Sequence, residues 1–386
     1  MIVIADDFTG GAEIAGIGWR AGMTVRLHVI SLNSPSVVVG ESKSCVNTNH
    51  TTKDPTVFVT NTRSLSETEA KATIHRLLQE LSLSSTSELF VKIDSAMRGH
   101  IIEETILIAR ELAVERILII PQNPSKGRTI TDGNYYINGV PIENTNFRHD
   151  PEYPILSSDV LNILHHGVNH SALQVKMLDI DEPLRNGVFV AEASTINDIK
   201  KQLAKADEQT LIVGAADCFQ EYINCQLSIV NYQLSIIQSL FSDTIIVQGS
   251  TQSQQLKGIP ALSDFSVYSI TDMEETFMEQ TIESYLRSKK LILNTGKKKS
   301  ISQEQATLLC QSFADKATRV IRECKPRTII VEGGATAFAI VTRLGWNQFT
   351  VHEELAAGIV ALIQDTEKHF PTPILIVKPG SYPWFL

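Results

Sequence analysis

Two adjacent carboxylates, Asp6 and Asp7, occupy a chemically promising position in the N-terminal stretch "MIVIADDFTGG". The apolar run of residues 2–5 predicts a short buried strand, and Thr9 followed by glycines predicts the first turn of a helix. In open α/β sheets, ligands bind at the carboxyl ends of the strands. The pair therefore predicts a ligand site, whereas either Asp alone is equally consistent with a helix cap.

Two further stretches place cations and a hydroxyl after predicted strands. Arg63 follows the strand "TVFVT", and the stretch "VKIDSAMRGH" supplies Lys92, Asp94, Ser95, Arg98 and Gly99. Arginine offers a planar pair of donors for a carboxylate, and aspartate accepts hydrogen bonds from sugar hydroxyls. Together with Asp6 and Asp7, these residues predict a site for a small substrate that carries both a carboxylate and hydroxyls. An isolated Lys92 or Arg98 would instead be interpreted as a solvated surface charge.

Glycine-bearing turns follow three predicted strands in the second half of the chain. They are "VEGGATA" with Gly333 and Gly334, "VQGSTQS" with Gly249 and Ser250, and "VKPGSYP" with Gly380. Glycines let a phosphate approach the backbone, and the first N–H groups of a helix favour an anion. One such turn can reflect close packing alone, but three predict a nucleotide site.

The elements that must position these residues alternate between strand and helix, which predicts an α/β fold. Helices are expected over residues 10–21, 66–81 and 99–113, with a capping box from Ser66 to Glu69 opening the second. A further helical stretch is expected over about 218–240. Asn138 and Gly139 predict a hairpin turn that interrupts the alternation. We place a domain boundary near residue 240, giving domains 1–240 and 241–386.

Composition excludes several classes of protein. A chain of 386 residues favours two domains, and a formal net charge of −9 argues against nucleic acid or anionic membrane as partners. Five widely spaced cysteines favour neither a disulfide framework nor a zinc site, so a reducing cytoplasm is expected. The ten histidines show no ligand spacing, and we assign no metal site to the chain itself. No apolar run approaches the 18 residues of a membrane span.

Four motifs, "ADDFTGG", "KIDSAMRGH", "GGATA" and "KPGS", occur in the order seen in the four-carbon acid sugar kinase family, and the chain resembles that family over nearly its whole length. The family includes D-threonate, D-erythronate and 3-oxo-tetronate kinases. The resemblance implies two domains, each a mostly parallel sheet flanked by helices, with the active site in the cleft between them. It also implies an N-terminal substrate domain, a C-terminal nucleotide domain, and transfer of the γ-phosphoryl group of ATP, with Mg²⁺, to the C4 hydroxyl.

The resemblance also implies roles for individual residues. Those expected to face the sugar acid are Asp6, Asp7, Arg63, Lys92, Asp94, Ser95, Arg98 and Gly99, and those expected to face ATP are Ser250, Gly333, Gly334, Ala335, Thr336 and Gly380. Many relatives carry Asp or Glu at the position of Ala335. If that acidic residue is a base or metal anchor in them, this chain must use another carboxylate. Asp94 is our predicted base, with Asp7 next.

Two other functions stay open at this stage. One is a kinase for another hydroxy acid, such as glycerate or a larger aldonate. The other is a sugar-acid-binding protein that has lost catalysis, which Ala335 and the short run after Ser250 suggest. The sequence does not select one four-carbon acid, and it leaves the oligomeric state open, a homodimer included.

Overall fold

The computed structural model describes residues 1–30, 54–84, 87–150, 152–165, 175–223, 241–249, 262–269, 275–295, 303–365, 372–380, 382 and 384. The chain divides into two compact units. Met1–Ile14 and Ile30–Leu227 form the first unit, and Ala15–Val29 and Ser228–Leu386 form the second. The predicted boundary near residue 240 stays a prediction, because residues 224–240 lie outside the described residues.

Strands and helices are numbered here along the described part of the chain. The strands are β1 Ile2–Ala5, β2 Arg26–Val29, β3 Thr56–Val59, β4 Leu89–Lys92, β5 Arg116–Ile120, β6 Arg128–Thr131, β7 Asn134–Ile137, β8 Val140–Pro141, β9 Val175–Leu178, β10 Gly187–Ala191, β11 Thr210–Gly214, β12 Thr244–Gln248, β13 Ser266–Ser269, β14 Lys290–Asn294, β15 Thr328–Glu332, β16 Gln348–Ala356, β17 Ile359–Gln364 and β18 Ile374–Lys378. The helices are α1 Phe8–Arg20, α2 Glu67–Leu81, α3 Ile101–Glu111, α4 Val160–His165, α5 Ile196–Leu203, α6 Ala216–Ile223, α7 Glu275–Ser288, α8 Gln303–Cys324 and α9 Gly334–Leu344.

The first unit contains a parallel sheet in the order β3-β1-β4-β11-β5-β10-β9. Its strands are short and apolar because both faces are covered, as is usual for parallel sheets. Its core is rich in Ile, Leu and Val, with Ile4, Val91 and Ile119 among the buried side chains. A small antiparallel sheet, β6-β7-β8, is inserted after β5. The carboxyl ends of β1, β3 and β4 carry the polar residues singled out in the sequence.

Among the described residues, the second unit has five parallel strands in the order β13-β14-β12-β15-β18. The antiparallel strands β17, β16 and β2 continue this sheet beyond β18. Gln248, Glu332 and Lys378 end three neighbouring parallel strands in register. Their turns, which contain the predicted nucleotide glycines, therefore begin at one edge of this sheet.

Several local predictions are confirmed. Ser66 and Glu69 form the capping box that opens α2, and β7 and β8 flank the Asn138-Gly139 turn. Strand β2, Arg26–Val29, belongs to the second unit, where it pairs antiparallel with β16. The predicted helix over 218–240 is described only up to Ile223, in α6, and its remainder lies outside the described residues. No helix among the described residues is long and apolar enough to cross a membrane.

Candidate active site

Arg63, which follows β3, connects carboxylates that follow two neighbouring strands of the first unit, β1 and β4. Its Nε donates to Asp6 Oδ2 at 2.8 Å, and its Nη2 donates to Asp7 Oδ1 at 3.0 Å. Its Nη1 lies 3.7 Å from Asp94 Oδ1. The side chain is only 12% exposed, so its charge is largely withdrawn from water. The sequence separation between Arg63 and Asp6 is 57 residues, and the parallel strands bring the two together.

Asp7 and Asp6 differ in the use of their oxygens. Asp7 Oδ2 accepts the backbone N–H of Thr9 at 3.2 Å, and Oδ1 accepts that of Gly10 at 2.9 Å, so Asp7 caps α1. The alternative of a capping role is therefore confirmed for Asp7, which also pairs with Arg63. Asp6 Oδ1 is buried and has no hydrogen-bond partner among the described residues. Asp6 thus has spare accepting capacity.

Asp94 has both oxygens engaged by Arg98. Arg98 Nε donates to Oδ2 at 2.8 Å, and Arg98 Nη2 donates to Oδ1 at 3.1 Å. The backbone N–H groups of Ala96 and Arg98 also donate to Oδ2. Arg98 Nη1 in turn donates to Asp150 Oδ2 at 2.8 Å. This two-pronged pair holds Asp94 in one orientation.

The other predicted substrate residues lie beside this network. Lys92 is 3% exposed, and its amine donates to the Ile93 carbonyl at 3.0 Å. The Ser95 hydroxyl accepts a hydrogen bond from Arg128 Nη1. Gly99 has φ of +99°, which other residues rarely adopt, and a Cβ there would lie only 3.3 Å from Arg63 Cγ. Both the backbone conformation and the limited space therefore favour glycine. The structure therefore brings all eight predicted substrate residues to one edge of the first unit's sheet, and their roles stay predictions.

The three aspartates have different proton affinities. Burial raises the pKa of Asp6 to about 6, although Arg63 acts in the opposite direction. Burial would also raise the pKa of Asp94, but the guanidinium groups of Arg98 and Arg63 outweigh it and hold this pKa well below its usual range. Arg63 and Lys92 likewise overcome burial and lower the pKa of Asp7. Asp6 is the one of the three that titrates nearest to neutral pH.

Glu104 near the start of α3 offers a test of these electrostatics. Burial and the nearby charge of Asp6 raise the pKa of Glu104 from 4.5 to about 8. The folded protein keeps a proton that the unfolded chain has released, so this group makes the free energy of unfolding fall as pH rises from about 4.5 to about 8. Glu104→Gln is always neutral and lacks this dependence. We expect the variant to gain stability relative to the wild type between pH 6 and pH 8.5.

Urea unfolding of both proteins at pH 6, 7 and 8.5 measures this difference. A pKa difference contributes up to about 1.4 kcal/mol per pH unit within the window. A stability difference between variant and wild type that is the same at all three pH values would show that Glu104 titrates normally in the folded state.

Sequence reasoning missed several charged residues of this site. Asp150 pairs with Arg98, and Arg128 contacts Ser95. Glu13 of α1 lies between two amines, 3.6 Å from Lys92 Nζ and 2.8 Å from Lys126 Nζ. A usable signal existed for Lys126 and Arg128, because both follow β5, whose carboxyl end lies at the same edge of the sheet. The local sequence pattern of this segment predicts only the hairpin turn at Asn138.

In the second unit, the predicted nucleotide turns are joined by backbone hydrogen bonds. The N–H of Gly249 donates to the Glu332 carbonyl at 3.1 Å, and the N–H of Gly333 donates to the Lys378 carbonyl at 2.9 Å. Gly249 packs against Thr336 so closely that a Cβ at 249 would overlap Thr336 Oγ1. The turns after β12, β15 and β18 therefore form one connected surface.

A buried ion pair lies directly beneath these turns. Lys378 Nζ donates to Glu332 Oε1 at 2.6 Å, and both side chains are fully buried. Gln248 Nε2 donates to the other carboxylate oxygen of Glu332 at 3.0 Å, and Lys378 also donates to the Pro379 carbonyl at 3.0 Å. The pair thus fixes the ends of three strands and the start of the turn that contains Gly380.

The remaining predicted nucleotide residues lie around the start of α9. Gly333 precedes the helix with φ of +104°, Gly334 begins it, Ala335 is exposed and Thr336 is buried. The first N–H groups of this helix have no acceptor within the helix and can bind an anion. Ser250 lies outside the described residues. Across the described part of the chain, no group of three or more His, Cys, Asp or Glu side chains is placed to hold a metal ion.

Two family models match separate parts of the chain. A model of a sugar-binding N-terminal domain matches residues 1–219, and a model of a nucleotide-binding C-terminal domain matches residues 270–382. The chain is 23% identical to a D-threonate kinase of Salmonella typhimurium over 393 residues, which cover 93% of this chain and 90% of the relative. It is 22% identical to a 3-oxo-tetronate kinase of Pseudomonas fluorescens, with coverage of 98% and 93%.

A solved structure shows the same fold. It is that of a Haemophilus influenzae protein from a family described as a domain of unknown function, with a TM-score of 0.66 and 16% sequence identity. The match covers 99% of this chain and 97% of that chain. Because the sugar-binding model alone spans more than half of the 386 residues and both relatives match over at least 90% of their length, the chain belongs to the four-carbon acid sugar kinase family.

Proposed function

We propose that this protein is an ATP-dependent kinase that phosphorylates the C4 hydroxyl of a four-carbon sugar acid. The observation that carries the proposal is the Arg63 network, in which strand-end carboxylates and cations gather within the part matched by the sugar-binding model. The names of the relatives, D-threonate kinase and 3-oxo-tetronate kinase, support the same substrate class. We further propose a cytoplasmic location.

The first unit would bind the acid. Fixed carboxylates accept hydrogen bonds from substrate hydroxyls, and the Arg63 pairings keep Asp6, Asp7 and Asp94 in place before substrate arrives. Lys92 and Asp7 both lie beside Gly10. A Cβ atom added at Gly10 would be 2.6 Å from Asp7 Oδ1 and 3.1 Å from Lys92 Nζ, so the two side chains are close to one another. The Lys92 ammonium group is suited to stabilise negative charge on a transferring phosphoryl group.

The second unit would bind MgATP, in which Mg²⁺ arrives on the phosphates as part of the substrate. The N–H groups at the start of α9 and the glycine turns at Gly249, Gly333 and Gly380 suit a phosphate chain, and this part lies within or next to the nucleotide-binding match. Ala335 provides no carboxylate at this helix start, so in this chain a proton acceptor must come from another residue.

In the reaction, the substrate hydroxyl oxygen forms a bond to the γ-phosphorus as the bond from that phosphorus to the β–γ bridging oxygen breaks. ADP leaves, and the hydroxyl proton passes to a protein carboxylate. Such transfer depends mainly on positioning and charge stabilisation. Asp94 as the acceptor stays a prediction. The contacts favour Asp6, because Asp6 has an oxygen without a partner among the described residues and a pKa of about 6, whereas both oxygens of Asp94 are engaged.

A substrate panel tests the proposed function. ADP release would be measured with MgATP and, separately, D-threonate, D-erythronate, 3-oxo-tetronate, glycerate and a six-carbon aldonate. We expect turnover with at least one four-carbon acid. We also expect millimolar MgATP to raise the melting temperature, since a ligand at a hundred times its Kd stabilises the native state by about 2.7 kcal/mol.

The outcomes separate the open alternatives. Turnover confined to glycerate or the six-carbon acid would assign another hydroxy acid as substrate. Thermal stabilisation by a four-carbon acid without ADP release would support the binding protein that Ala335 suggests. If MgATP does not stabilise the protein and no acid causes ADP release, the kinase function is contradicted. Magnesium chloride without ATP serves as the control.

A further inference from the structure

Arg128 occupies a rigid position at the edge of the candidate site. It is the first residue of β6, and it follows the turn that leaves the carboxyl end of β5. Its backbone N–H and C=O both pair with Asn123, each at 3.0 Å. The side chain is half-buried. The backbone therefore fixes the point from which this guanidinium extends.

The contacts of the Arg128 side chain are with neutral groups. Nη1 donates to the Ser95 hydroxyl, and the guanidinium carbon lies 5.5 Å from the centroid of the Phe147 ring. Arg98 lies over the same ring at 5.3 Å. These contacts orient the guanidinium and shield one side from water, but they do not neutralise its charge.

Arg128 differs in this respect from the other cations of the site. Arg63 and Arg98 pair with aspartates, and Lys126 pairs with Glu13, as Lys92 does at 3.6 Å. Within the described ranges, no carboxylate oxygen lies within 4.0 Å of an Arg128 nitrogen. Among the described residues, this cation therefore has no carboxylate in direct contact.

Neighbouring groups show that the charge of Arg128 lies within the site. The positive charge of Arg128 contributes to lowering the pKa of Asp94, after burial, Arg98 and Arg63. The pKa of Lys126 is lowered, chiefly by burial. Glu13 acts to raise this pKa, whereas the positive charges of Arg128 and Lys92 lower it further. Lys126, Arg128 and Lys92 thus lie near one another. Glu13 contacts both lysines. An arriving anion would relieve this repulsion.

We propose that Arg128 binds the carboxylate of the sugar acid, and this inference rests on the proposed function. With Nη1 on Ser95, the guanidinium still has Nε and Nη2 on a common edge for two parallel bonds to a carboxylate. Because Ser95 Oγ accepts from Arg128, its own proton is available as a third donor. Arg128 would thereby distinguish a sugar acid from the corresponding uncharged polyol.

The variant Arg128→Gln tests this role. We expect its Kd for the acid and its KM for the acid to rise by roughly 10- to 150-fold, the usual loss for hydrogen bonds to a charged group. Binding would be measured by calorimetry without nucleotide, using D-threonate, D-erythronate and 3-oxo-tetronate, so that the readout does not depend on catalysis. Threitol and erythritol, which lack the carboxylate, should bind the variant and the wild type equally.

Two further variants keep the test interpretable. Arg128→Lys keeps the charge without the planar fork, and we expect an intermediate loss. Arg148→Gln removes an exposed arginine from the same inserted segment, and we expect the affinity for the acid to be unchanged. Circular dichroism and thermal melting establish that each variant is folded.

The failures of the two proposals can be told apart. If the wild type neither binds nor phosphorylates any of the three acids, the proposed function fails whatever Arg128 does. If the wild type uses one of them and folded Arg128→Gln keeps Kd and KM within twofold, the assignment of Arg128 is overturned. It is also overturned if the variant loses the polyols as much as the acids, since that result indicates a purely structural role.

Discussion

Asp6→Asn is expected to lower kcat by roughly 10²- to 10⁴-fold with little change in KM for the acid, the usual effect of removing a positioned proton acceptor. Asn cannot accept the hydroxyl proton, although it can still accept a hydrogen bond from Arg63. The acceptor must be unprotonated, and the pKa of Asp6 is about 6. The wild-type kcat/KM for the acid should therefore fall as pH decreases through about 6, and Asp6→Asn should lack this acid limb.

Asp94→Asn is the matched comparison, because Asp94 has the same side chain, similar burial and a different set of contacts. Loss of its charge releases the Arg98 pair, so we expect mainly a higher KM for the acid. The sequence-based prediction was instead that Asp94 is the base, with Asp7 as the next candidate. Steady-state kinetics between pH 5 and 9, with circular dichroism of each variant, decide between them. An acid limb that persists in Asp6→Asn, together with the larger kcat loss in Asp94→Asn, would establish Asp94 as the acceptor.

Lys378→Met should destabilise the protein by about 3–5 kcal/mol, because it leaves the Glu332 carboxylate buried without its cation. Urea unfolding at pH 7 measures the loss. Lys378→Met combined with Glu332→Gln removes both charges, and we expect the double variant to recover a large part of the lost stability. Such recovery identifies the unpaired charge, and not the changed side-chain volume, as the cause.

Lys290→Met is the control for this second prediction. Lys290 also pairs with a carboxylate, since its Nζ lies 3.4 Å from Asp264 Oδ2, but the Asp264 side chain is 72% exposed. Exposed pairs contribute up to about 1 kcal/mol. A loss below 1 kcal/mol in Lys378→Met, or a double variant less stable than the single one, would contradict the importance of the buried pair at the turns that contain Gly333 and Gly380.

The sequence by itself determined the elements that depend on near neighbours. Ser66 and Glu69 form the predicted capping box, and Asn138-Gly139 forms the predicted hairpin turn, because each depends on contacts within a few residues. The sequence also predicted that the polar residues following β1, β3 and β4 lie close together. Parallel strands align their carboxyl ends, so polar residues that follow those strands must meet.

Only the tertiary structure decided the pairings between distant residues. It places β2 against β16, joins Asp6 to Arg63, and pairs Arg98 with Asp150, 52 residues further along the chain. It also decides which oxygen of Asp6 lacks a partner and that Arg128 faces Ser95 instead of a carboxylate. Hydrogen-bond capacity, burial and pKa depend on all the groups around an atom, and those groups come from strands and turns whose order in space no local pattern specifies.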